Sequence, residues 1–590
     1  MNAPKQTILT KLNSIVFDAF SSCGYVDVAG SVVRSNMQGV HFQSNSAFQV
    51  AKKHGKAPLV VAEEVAAQLK QNPTFSSVEA AAPGFVNLVL ADDFLASYGS
   101  VLAEGVGVVV ANETHQIVLD YGGANVAKPL HVGHLRSAVI GESLKRIARV
   151  LGYQVISDVH LGDWGLQMGM IIEELRKRNP EMSYFADPLP DSFPSESPVT
   201  IQDLDELYPA ASARAKEDPE VMVAARRATV ELQQGHAGYR ALWQHFVAVS
   251  VADLKQDYHA LGVDFDLWLG ESDAHETTLQ LLSTLFEKGF AHESEGALIM
   301  PVSRETDTKE LPPLLLRNSE GAVLYGATDL ATIKDRMDQS HPDEIVYVVD
   351  KRQQLHLRQV FRAARQASIV SEGMVLEHVA FGTMNGTDNK PFKTRAGGTM
   401  KLKDLLATVK QQALERQMEM GHLEDASPEE VDNVATLVGI ATLKFADLSN
   451  YHENDYVFDL ERFSSFEGYT GPYLLYTTVR ASSLIAKAAV DGVEPWKVLS
   501  PQTDSERALI MRLAEFSDTV TNAWETKSPS VLCEYAYDLA TEFSSFYHEC
   551  PVLTEQNKAR KYSHLQLVQM VRDTLTQALD LLGIEVPQRM

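Results

Sequence analysis

The stretch that decides the fold is NVAKPLHVGHLRS, residues 125–137, which follows the apolar run HQIVLDYGG at 115–123. The run predicts a buried strand, and apolar residues recur at helical spacing after the histidines. Gly152 is expected to end that helix, and YQVISDVH at 153–160 predicts the next strand. A strand, a loop, a long helix and a second strand are typical of a doubly wound, Rossmann-type parallel sheet.

The two histidines of this stretch, His131 and His134, are three residues apart around Gly133, with Lys128 just upstream. As zinc ligands they need a third or fourth protein ligand, and the HExxH protease pattern is absent. They can also be ordinary polar residues at a helix start. A third interpretation fits the context best: a helix N-terminus beyond a parallel strand binds phosphate, and histidine N–H groups donate to it. Gly133 then leaves room for the nucleotide, and Lys128 adds a positive charge.

Length and composition limit the class of protein. A chain of 590 residues predicts several domains, and no apolar run reaches membrane-spanning length. The N-terminus MNAPKQTILTKLNS shows no secretory signal, and three scattered cysteines exclude a disulfide framework, so a cytoplasmic protein is expected. The net charge of −26 argues against non-specific nucleic-acid binding, and any nucleic-acid contact must use local basic patches.

Pattern changes along the chain predict four regions. A small α/β domain comes first, then a Rossmann-type parallel-sheet domain with a helical insertion, in which the sheet pattern resumes at ALIMPVS and EIVYVVD. The chain beyond about residue 455 reads as an all-α bundle. The expected borders are 1–112 for the N-terminal domain, 113–400 for the Rossmann-type domain with its insertion at about 175–255, 401–455 for a helical connection, and 456–590 for the bundle.

A family resemblance runs along the whole chain. HVGH at 131–134 resembles the HIGH signature of class I aminoacyl-tRNA synthetases, and residues 118–170 resemble the arginyl-tRNA synthetases of bacterial type. Further similar stretches are LGVDFDLWLGES at 261–272, residues 446–480, and LGIEVPQRM at 582–590. Matches of this length and order are more specific than the HxGH pattern alone.

The resemblance implies an enzyme, an arginine–tRNA ligase. Its expected substrates are L-arginine, ATP with Mg²⁺ and tRNA(Arg), with no structural metal and no membrane partner. The arginine carboxylate attacks the α-phosphorus of ATP, and the arginyl group then passes to the terminal ribose of the tRNA. The resemblance also implies that arginine activation needs bound tRNA and that the enzyme is a monomer. The resemblance further implies that His131, Gly133 and His134 are catalytic and that both histidines bind ATP.

The second class I signature, the KMSKS loop, resembles KPFKTRAGG at 390–398. Thr394 replaces the usual second lysine, and the resemblance implies that Lys128 supplies the missing charge. The other expected phosphate-binding residues are Lys390, Lys393 and Arg395. Glycines suit a flexible lid here, namely Gly382, Gly386, Gly397 and Gly398. The alternative is an exposed basic loop that binds no ligand.

An arginine side chain requires acidic, planar recognition. Tyr325 and Asp329 are four residues apart and share a helix face, and the resemblance puts both at the guanidinium, with Gln353 nearby. The alternative for Asp329 is a surface helix charge. Asp120 and Asn125 match the positions that hold the amino and carboxylate groups of the substrate.

Other positions near this pocket depart from the family pattern or offer additional contacts. The family's usual serine and proline are Gly123 and Ala124 in this chain, so residue 123 offers no side-chain contact. His356 and Asp163 are candidates for contact with adenine or ribose. Trp164, next to Asp163, is expected in the core.

The expected tRNA contacts lie at both ends of the chain. In the C-terminal bundle, Leu475 replaces the family's usual glutamine, which removes one polar contact. As an alternative, the two tyrosines of that helix belong to its core. The residues that match tRNA-binding positions are Phe85 and Asn87 in PGFVNL, Tyr473, Tyr476 and Arg480 in YLLYTTVR, and the terminal Met590. PGFVNL is equally compatible with a buried strand, and the basic run NKARKYSH at 557–564 with a solvated face.

Three other functions are compatible with the HxGH pattern but fit the rest of the sequence less well. Nucleotidyltransferases with an HxGH signature are usually shorter and lack a helical C-terminal domain. Another class I synthetase is disfavoured by the Tyr325 and Asp329 pair and by the absence of a large editing insertion. An RNA-binding paralogue without activity is disfavoured by the intact residues His131, Gly133 and His134.

Overall fold

The computed structural model describes residues 6–26, 28, 30–105, 107–110, 115–390, 400–421, 425–490 and 492–590. The chain divides into two compact units. One comprises residues 1–112, 414–445 and 464–590, and the other comprises residues 113–413 and 446–463. The elements are given below in chain order.

The N-terminal region is a small α/β fold, as the sequence predicts. Its four strands form an antiparallel sheet in the order β1-β2-β4-β3. The elements are α1 (Ile8–Ser22), β1 (Val32–Arg34), β2 (Phe42–Ser44), α2 (Ala47–Ala51), α3 (Pro58–Leu69), β3 (Phe75–Ala81), β4 (Phe85–Leu90) and α4 (Asp92–Ala103).

The central part of the chain alternates strands with helices. The elements are β5 (Gln116–Asp120), α5 (Val132–Val150), β6 (Gln154–Asp158), α6 (Leu166–Arg178), α7 (Ile201–Glu217), α8 (Pro219–Gln233), α9 (Ala237–Ala260), α10 (His275–Glu287), β7 (His292–Ser294), β8 (Ala297–Met300), β9 (Leu314–Arg317), α11 (Tyr325–Ser340), β10 (Glu344–Asp350), α12 (Gln354–Gln366), β11 (Val375–Phe381), β12 (Met384–Asn385), α13 (Leu402–Met420), α14 (Pro428–Leu448), β13 (Tyr456–Val457) and α15 (Leu460–Phe463).

A four-stranded parallel sheet in the order β11-β10-β5-β6 confirms the Rossmann-type prediction. Ile117, Val118 and Leu119 of β5 are all buried, as expected for a strand covered on both faces. The chain leaves β5 through α5 to reach β6 on one side, and it leaves β10 through α12 to reach β11 on the other. The order of strands therefore reverses between β5 and β10, and ligands bind at the carboxyl ends of strands at such a point.

One strand prediction needs correction. EIVYVVD is β10 of the parallel sheet, but ALIMPVS does not resume that sheet. Its strand, β8, lies in a separate three-stranded antiparallel sheet in the order β7-β8-β9. The apolar run of β8 covers the same apolar cluster as α10 and α11, since Leu298 and Met300 are buried in it. Periodicity predicts a buried strand but does not tell which strand pairs with it.

The helical insertion predicted for about residues 175–255 contains α7, α8 and α9. These helices pack with α6 around one apolar cluster that includes Met168, Leu204, Leu232 and Phe246. Trp164 is buried in this cluster, which confirms the expectation that it belongs to the core.

Helices are the only regular elements among the described residues from 471 onward, as predicted for a bundle. Its helices are α16 (Gly471–Val490), α17 (Asp504–Ala514), α18 (Phe516–Glu525), α19 (Ser530–Glu549) and α20 (Lys558–Leu581). The segment just before them differs from the pattern, because β13 at Tyr456–Val457 pairs in parallel with β12, and both strands belong to the unit that comprises residues 113–413 and 446–463. Among the described helices, not one combines the length and the apolar character needed to cross a membrane.

Close contact between β5 and α5 fixes the position of the signature. Gly141 lies against Tyr121, so that an added Cβ would overlap the tyrosine ring. Ser137 joins the same elements, because its hydroxyl accepts the N–H of Gly122 at 2.7 Å and donates to the carbonyl of Val348 at 2.7 Å. Gly152, at φ 92°, follows the helix as predicted.

Substitution of Gly141 therefore tests the packing of α5 on the sheet. We expect Gly141→Ala to destabilise the unit of residues 113–413 and 446–463 by about 2 kcal/mol or more, because the methyl group overpacks a closed contact. Scanning calorimetry of the full chain measures the change. Gly373→Ala is the matched control, because a Cβ there meets no atom within 4 Å. Equal midpoints for the two variants would contradict the expectation.

Candidate active site

The start of α5 is closed by two histidines that bond reciprocally to the backbone. His131 precedes the helix in an extended conformation, with φ −129° and ψ 170°. The N–H of Gly133 donates to Nδ1 of His131 at 3.0 Å, and the N–H of His131 donates to Nδ1 of His134 at 3.2 Å. The arrangement is a capping box in which imidazole nitrogens take the places of the usual hydroxyl and carboxylate.

These bonds decide which nitrogen of each ring carries hydrogen. Because both Nδ1 atoms accept, the neutral rings hold their hydrogen on Nε2. Burial, and then the charge of Lys128, lowers the pKa of His131. Burial, and then the charges of His131 and Lys128, lowers the pKa of His134 to about 3. Near pH 7 the helix start therefore presents two neutral Nε2–H donors, with ring centroids 4.0 Å apart.

The zinc interpretation of these histidines gains nothing from the structure. Within the described part of the chain, the one cluster of three potential metal ligands is Glu506, Cys550 and His564 in the C-terminal helices. There Nη2 of Arg560 donates to Oε1 and Oε2 of Glu506, at 2.9 and 2.7 Å. The geometry at His131 and His134 favours donors to an anion instead.

The packing of the His131 ring requires a glycine at position 133, in addition to the predicted need for room beside the nucleotide. A Cβ at this position would lie 2.7 Å from Cε1 of His131. The glycine therefore makes room for the ring that caps the helix, and any other residue would displace it.

Two buried side chains hold the helix start in place. Ser137 ties it to β5 and β10, as described above. Nε of Arg136 donates to Asp447 at 3.0 Å, and its Nη1 donates to the carbonyl of Asn454 at 2.9 Å. Arg136 and Asp447 are almost fully buried, and an ion pair without water is sensitive to the loss of either partner.

The segment that follows the predicted second signature pairs with the first. The N–H of Val132 donates to the carbonyl of Met400 at 3.2 Å, and the N–H of Leu402 donates to the carbonyl of Leu130 at 2.9 Å. Lys390 lies in an exposed turn closed by its carbonyl and the N–H of Gly386. Lys393, Thr394, Arg395, Gly397 and Gly398 lie outside the described residues.

Asp120, predicted to hold the amino group of the substrate, ends β5 in a buried charged cluster. Nη2 of Arg336 donates to Oδ2 of Asp120 at 2.7 Å and to Oδ2 of Asp158 at 2.9 Å. The two aspartates end neighbouring parallel strands, and Arg336 comes from α11. One arginine thus joins the carboxyl edge of the sheet to the helix that carries Tyr325 and Asp329.

The first turn of α11 carries the predicted guanidinium-binding pair. Tyr325 is 63% exposed, and Asp329 is half-buried one turn later. Nε2 of His356, from α12, lies 2.5 Å from Oδ2 of Asp329. His356 was predicted at adenine or ribose, and in the structure its ring contacts the carboxylate of Asp329, a residue predicted to bind the guanidinium.

Sequence reasoning missed Glu271. Burial, and then the negative charges of Asp163 and Asp329, raises the pKa of Glu271 to about 8. Glu271 and Asp329 also raise the pKa of Tyr325, after the larger effect of burial. The signal was available, because Glu271 lies in LGVDFDLWLGES, but only the fold brings it to Asp329. Carboxylates that destabilise one another in this way gain from a bound cation.

The remaining pocket candidates lie in loops beside the strand ends. Asn125 pairs with Gly162, next to Asp163, and a Cβ at Gly162 would collide with the Asn125 side chain. Asp163 is buried and accepts bonds from Ser272 at 3.0 and 2.6 Å. Gln353 is exposed in a short 3₁₀ turn before α12.

Gly123 and Ala124, the two departures from the family pattern, differ in exposure and backbone conformation. Gly123 is exposed at φ 60°, a left-handed conformation that favours glycine, and Ala124 is buried. Residue 123 therefore offers backbone alone, as predicted.

Three families match the chain in order. The family described as arginyl tRNA synthetase N terminal domain matches residues 5–90. The class I (R) tRNA synthetase catalytic domain matches residues 98–460, and the DALR anticodon binding domain matches residues 474–590. The catalytic match contains both the histidine-capped helix and the acidic pocket.

Full-length relatives agree with these matches. The arginine–tRNA ligase of Alkaliphilus oremlandii (strain OhILAs) is 46% identical over 589 residues, with 99% of this chain and 100% of the relative covered. The arginine–tRNA ligase of Maricaulis maris (strain MCS10) is 47% identical over 588 residues, with the same coverage. The chain belongs to the arginyl-tRNA synthetase family.

Solved structures of this family share the fold. Arginyl-tRNA synthetase from Plasmodium falciparum superposes with a TM-score of 0.83 at 23% identity, covering 100% of both chains. The Thermus thermophilus arginyl-tRNA synthetase gives a TM-score of 0.79 at 24% identity, covering 99% of this chain and 100% of that one.

In the N-terminal domain of this family member, the two predicted tRNA contacts lie at one end of β4. Phe85 is half-buried, with its ring 5.1 Å from that of Phe48. Asn87 is buried, and its Oδ1 accepts a bond from Gln43 at 2.7 Å. PGFVNL is thus a strand, and Phe85 is the more accessible of the two side chains.

In the C-terminal bundle, Tyr473, Tyr476 and Arg480 form a half-buried stripe along α16. The Tyr473 ring lies 5.8 Å from that of Tyr537, and the Arg480 guanidinium carbon lies 4.4 Å from the centre of Tyr547. Leu475 is fully buried on the opposite side, so its replacement of glutamine suits the core. Met590 is partly exposed at the C-terminus.

The basic run NKARKYSH is only partly available at the surface. Arg560 and His564 point inward and bond to Glu506, the latter at 2.8 Å. Lys558 is exposed and Lys561 is half-buried.

The histidine cap predicts that the catalytic unit, which comprises residues 113–413 and 446–463, is sensitive to acid. The pKa of His134 is about 3 in the folded chain and 6.5 ordinarily, so the unfolded chain binds more protons between these values. Stability is therefore retained above about pH 6.5 and is lost as the pH falls towards 3. His134→Asn keeps an acceptor for the His131 N–H but does not titrate.

We expect the thermal midpoint of His134→Asn to fall less than that of the wild type between pH 7.5 and pH 5. Calorimetry at both pH values measures the difference. His292→Asn, at an exposed histidine on β7, serves as the control and should follow the wild type. A His134→Asn curve parallel to the wild type would contradict the role of the neutral cap.

Proposed function

We propose that the chain is an arginine–tRNA ligase that works in two steps at the carboxyl edge of its parallel sheet. In the first, a carboxylate oxygen of L-arginine attacks the α-phosphorus of ATP, and the bond from that phosphorus to the bridging oxygen breaks. The products are arginyl-adenylate and pyrophosphate. In the second, a terminal ribose hydroxyl of tRNA(Arg) attacks the arginyl carbonyl, loses its proton, and AMP leaves.

One observation carries this proposal. Neutral N–H donors at a helix start and a cluster of carboxylates occur at one edge of one sheet. The first set binds an anion such as the phosphates of ATP, and the second binds a cation such as a guanidinium. A ligase that joins arginine to a nucleotide needs both, and the full-length relatives are named arginine–tRNA ligases.

For the first step, Nε2–H groups of His131 and His134 donate to phosphate oxygens as negative charge develops on them. Lys128, half-buried beside the histidines, adds a full positive charge. Lys390, Lys393 and Arg395 supply further charge to the phosphates. Mg²⁺ enters with ATP as a substrate ion. Positioning and charge stabilisation are sufficient for such phosphoryl chemistry.

For arginine recognition, Asp329 and Glu271 accept bonds from the guanidinium, and Tyr325 closes the pocket from the first turn of α11. A bound guanidinium lowers the pKa of Glu271 from about 8, so binding is coupled to release of a proton at pH values below about 8. Asp120 and Asn125 hold the amino and carboxylate groups, with Gln353 nearby. His356 acts on this side through its bond to Asp329.

For tRNA, we propose that residues 1–112 contact the D-loop and that residues 456–590 bind the anticodon. Residues 113–400 form the catalytic domain, and residues 401–455 form the helical connection. Aromatic side chains stack on unpaired bases, and arginine binds phosphates or base edges. The proposed contacts are Phe85, Asn87, Tyr473, Tyr476, Arg480 and Met590.

We also propose that the protein works in the cytoplasm. The three cysteines form no disulfide, which suits a reducing cytoplasm where charged tRNA is consumed. We propose that the enzyme acts as a monomer.

Exchange of pyrophosphate into ATP tests the function. We expect exchange with arginine alone among the twenty amino acids, and we expect it to depend on added tRNA(Arg). Aminoacylation with radiolabelled arginine follows the second step. Exchange with another amino acid, lysine above all, would disprove the substrate assignment.

Asp329→Asn tests the arginine pocket. Loss of a charge-assisted bond is worth about 2 kcal/mol, so we expect KM for arginine to rise about 10- to 100-fold. KM for ATP should change little. Asp338→Asn is the matched control, because Asp338 lies on the same helix and is paired with Lys334, one turn away, at 2.5 Å. An unchanged KM for arginine in Asp329→Asn would remove this residue from the pocket.

A further inference from the structure

Helix α7 of the insertion contacts two lysines beside the histidine signature. Nζ of Lys128 lies 4.6 Å from the centre of the Tyr208 ring. Nζ of Lys401 lies 2.7 Å from Oδ2 of Asp205. Asp205 and Tyr208 are three residues apart, so both side chains project from one face of the helix.

The two lysines belong to the two chain segments that meet at the signature. Lys128 is three residues before His131 in the chain, and Lys401 is bridged to His131 across an antiparallel pair. One helical face therefore contacts both of the chain segments that meet at the helix cap.

The two contacts differ in chemistry. A carboxylate neutralises Lys401, whereas an aromatic face attracts the ammonium of Lys128 without cancelling its charge. A ring also occupies only one side of the ammonium, so its N–H groups stay available to an anion. The charge of Lys128 lowers the pKa of both His131 and His134, which places its effect at the signature.

Tyr208 also lies near the arginine pocket. Its phenol is among the groups that raise the pKa of Tyr325, after burial, Glu271 and Asp329. Tyr208 is half-buried, with its body against the apolar cluster of the insertion. The ring is therefore held by packing while one face meets Lys128.

We propose that Tyr208 is a positioning residue for amino-acid activation: its ring holds the Lys128 ammonium beside His131 and His134, ready for the phosphates of ATP. This inference rests on the proposed function, because Lys128 matters only if the site binds ATP. It assigns a role in the reaction to the helical insertion, which is distant in sequence from both signatures.

Two substitutions separate the ring from the hydroxyl. Tyr208→Phe keeps the aromatic face, and Tyr208→Leu removes it while keeping an apolar side chain. We expect Tyr208→Leu to lower kcat/KM for ATP about three- to tenfold in pyrophosphate exchange, and Tyr208→Phe to stay within about twofold of the wild type. Any effect of the lost hydroxyl on KM for arginine should be equal in both variants. Equal kcat/KM for ATP in both would overturn the proposal, and so would a gain of activity in Tyr208→Leu.

A double-mutant cycle tests whether Tyr208 acts through Lys128. In the Lys128→Ala background, Tyr208→Leu should cause no further loss of kcat/KM for ATP. Independent, multiplicative losses would mean that Tyr208 acts in another way and would overturn the proposal. If Lys128→Ala is impaired and Tyr208→Leu is not, the positioning role fails and the proposed function stands. If Lys128→Ala has near-normal exchange, the role of Lys128 in the proposed function fails with it.

Leu207→Ala controls for damage to the insertion. Leu207 is buried in the apolar cluster next to Tyr208 and does not belong to the proposed machinery. Its truncation should lower the thermal midpoint more than Tyr208→Leu does, with kcat/KM for ATP near the wild type. A loss of kcat/KM in Leu207→Ala as large as in Tyr208→Leu would mean that loosening the insertion explains both, and would overturn the positioning role.

Discussion

Two hydrogen bonds from backbone N–H groups to imidazole nitrogens, at the first turn of α5, set the chemistry of this protein. They fix the orientation of His131 and His134, and they leave Nε2 as the hydrogen-bearing atom of each. They also explain Gly133, since the His131 ring fills the space of a side chain. The rest of the catalytic unit holds this turn in place, through the close contact of Gly141 with Tyr121 and the buried bond of Arg136 to Asp447.

Charge is distributed so that one sheet edge can bind two ligands of opposite sign. A chain of net charge −26 repels polyanions overall, so the phosphate site depends on local groups. Helix N–H groups and neutral histidines provide donors there, and Lys128 provides the charge. Glu271 and Asp329 concentrate negative charge in the acidic pocket, and Arg336 neutralises Asp120 and Asp158 at the ends of β5 and β6. The separation depends on the fold, because these residues come from five different parts of the chain.

Single helices and strands were predictable from the sequence, whereas contacts between segments that are distant in the sequence were not. Periodicity gave β5, α5 and β6, the end of α5 at Gly152 and the helical C-terminal region. It misassigned β8 to the parallel sheet, because an apolar run carries no information on its pairing partner. It also missed Glu271 and Tyr208. Each looks ordinary in its own segment, and each gains a role from neighbours more than 50 positions away in the sequence. The resemblance supplied Tyr325 and Asp329, but the bond between Asp329 and His356 required the structure.

The replacement of a signature lysine by Thr394 is easier to understand with Lys128 in view. A lysine side chain has about 2 kcal/mol of rotamer entropy, part of which is lost when it binds a phosphate. Where a ring restrains the ammonium in advance, that loss has already occurred on folding. The Tyr208 ring provides such a restraint at 4.6 Å, and it does so without a counter-charge that ATP would have to displace. Under the proposed function, a charge held in this way beside the helix cap compensates for the lysine that the signature lacks at position 394.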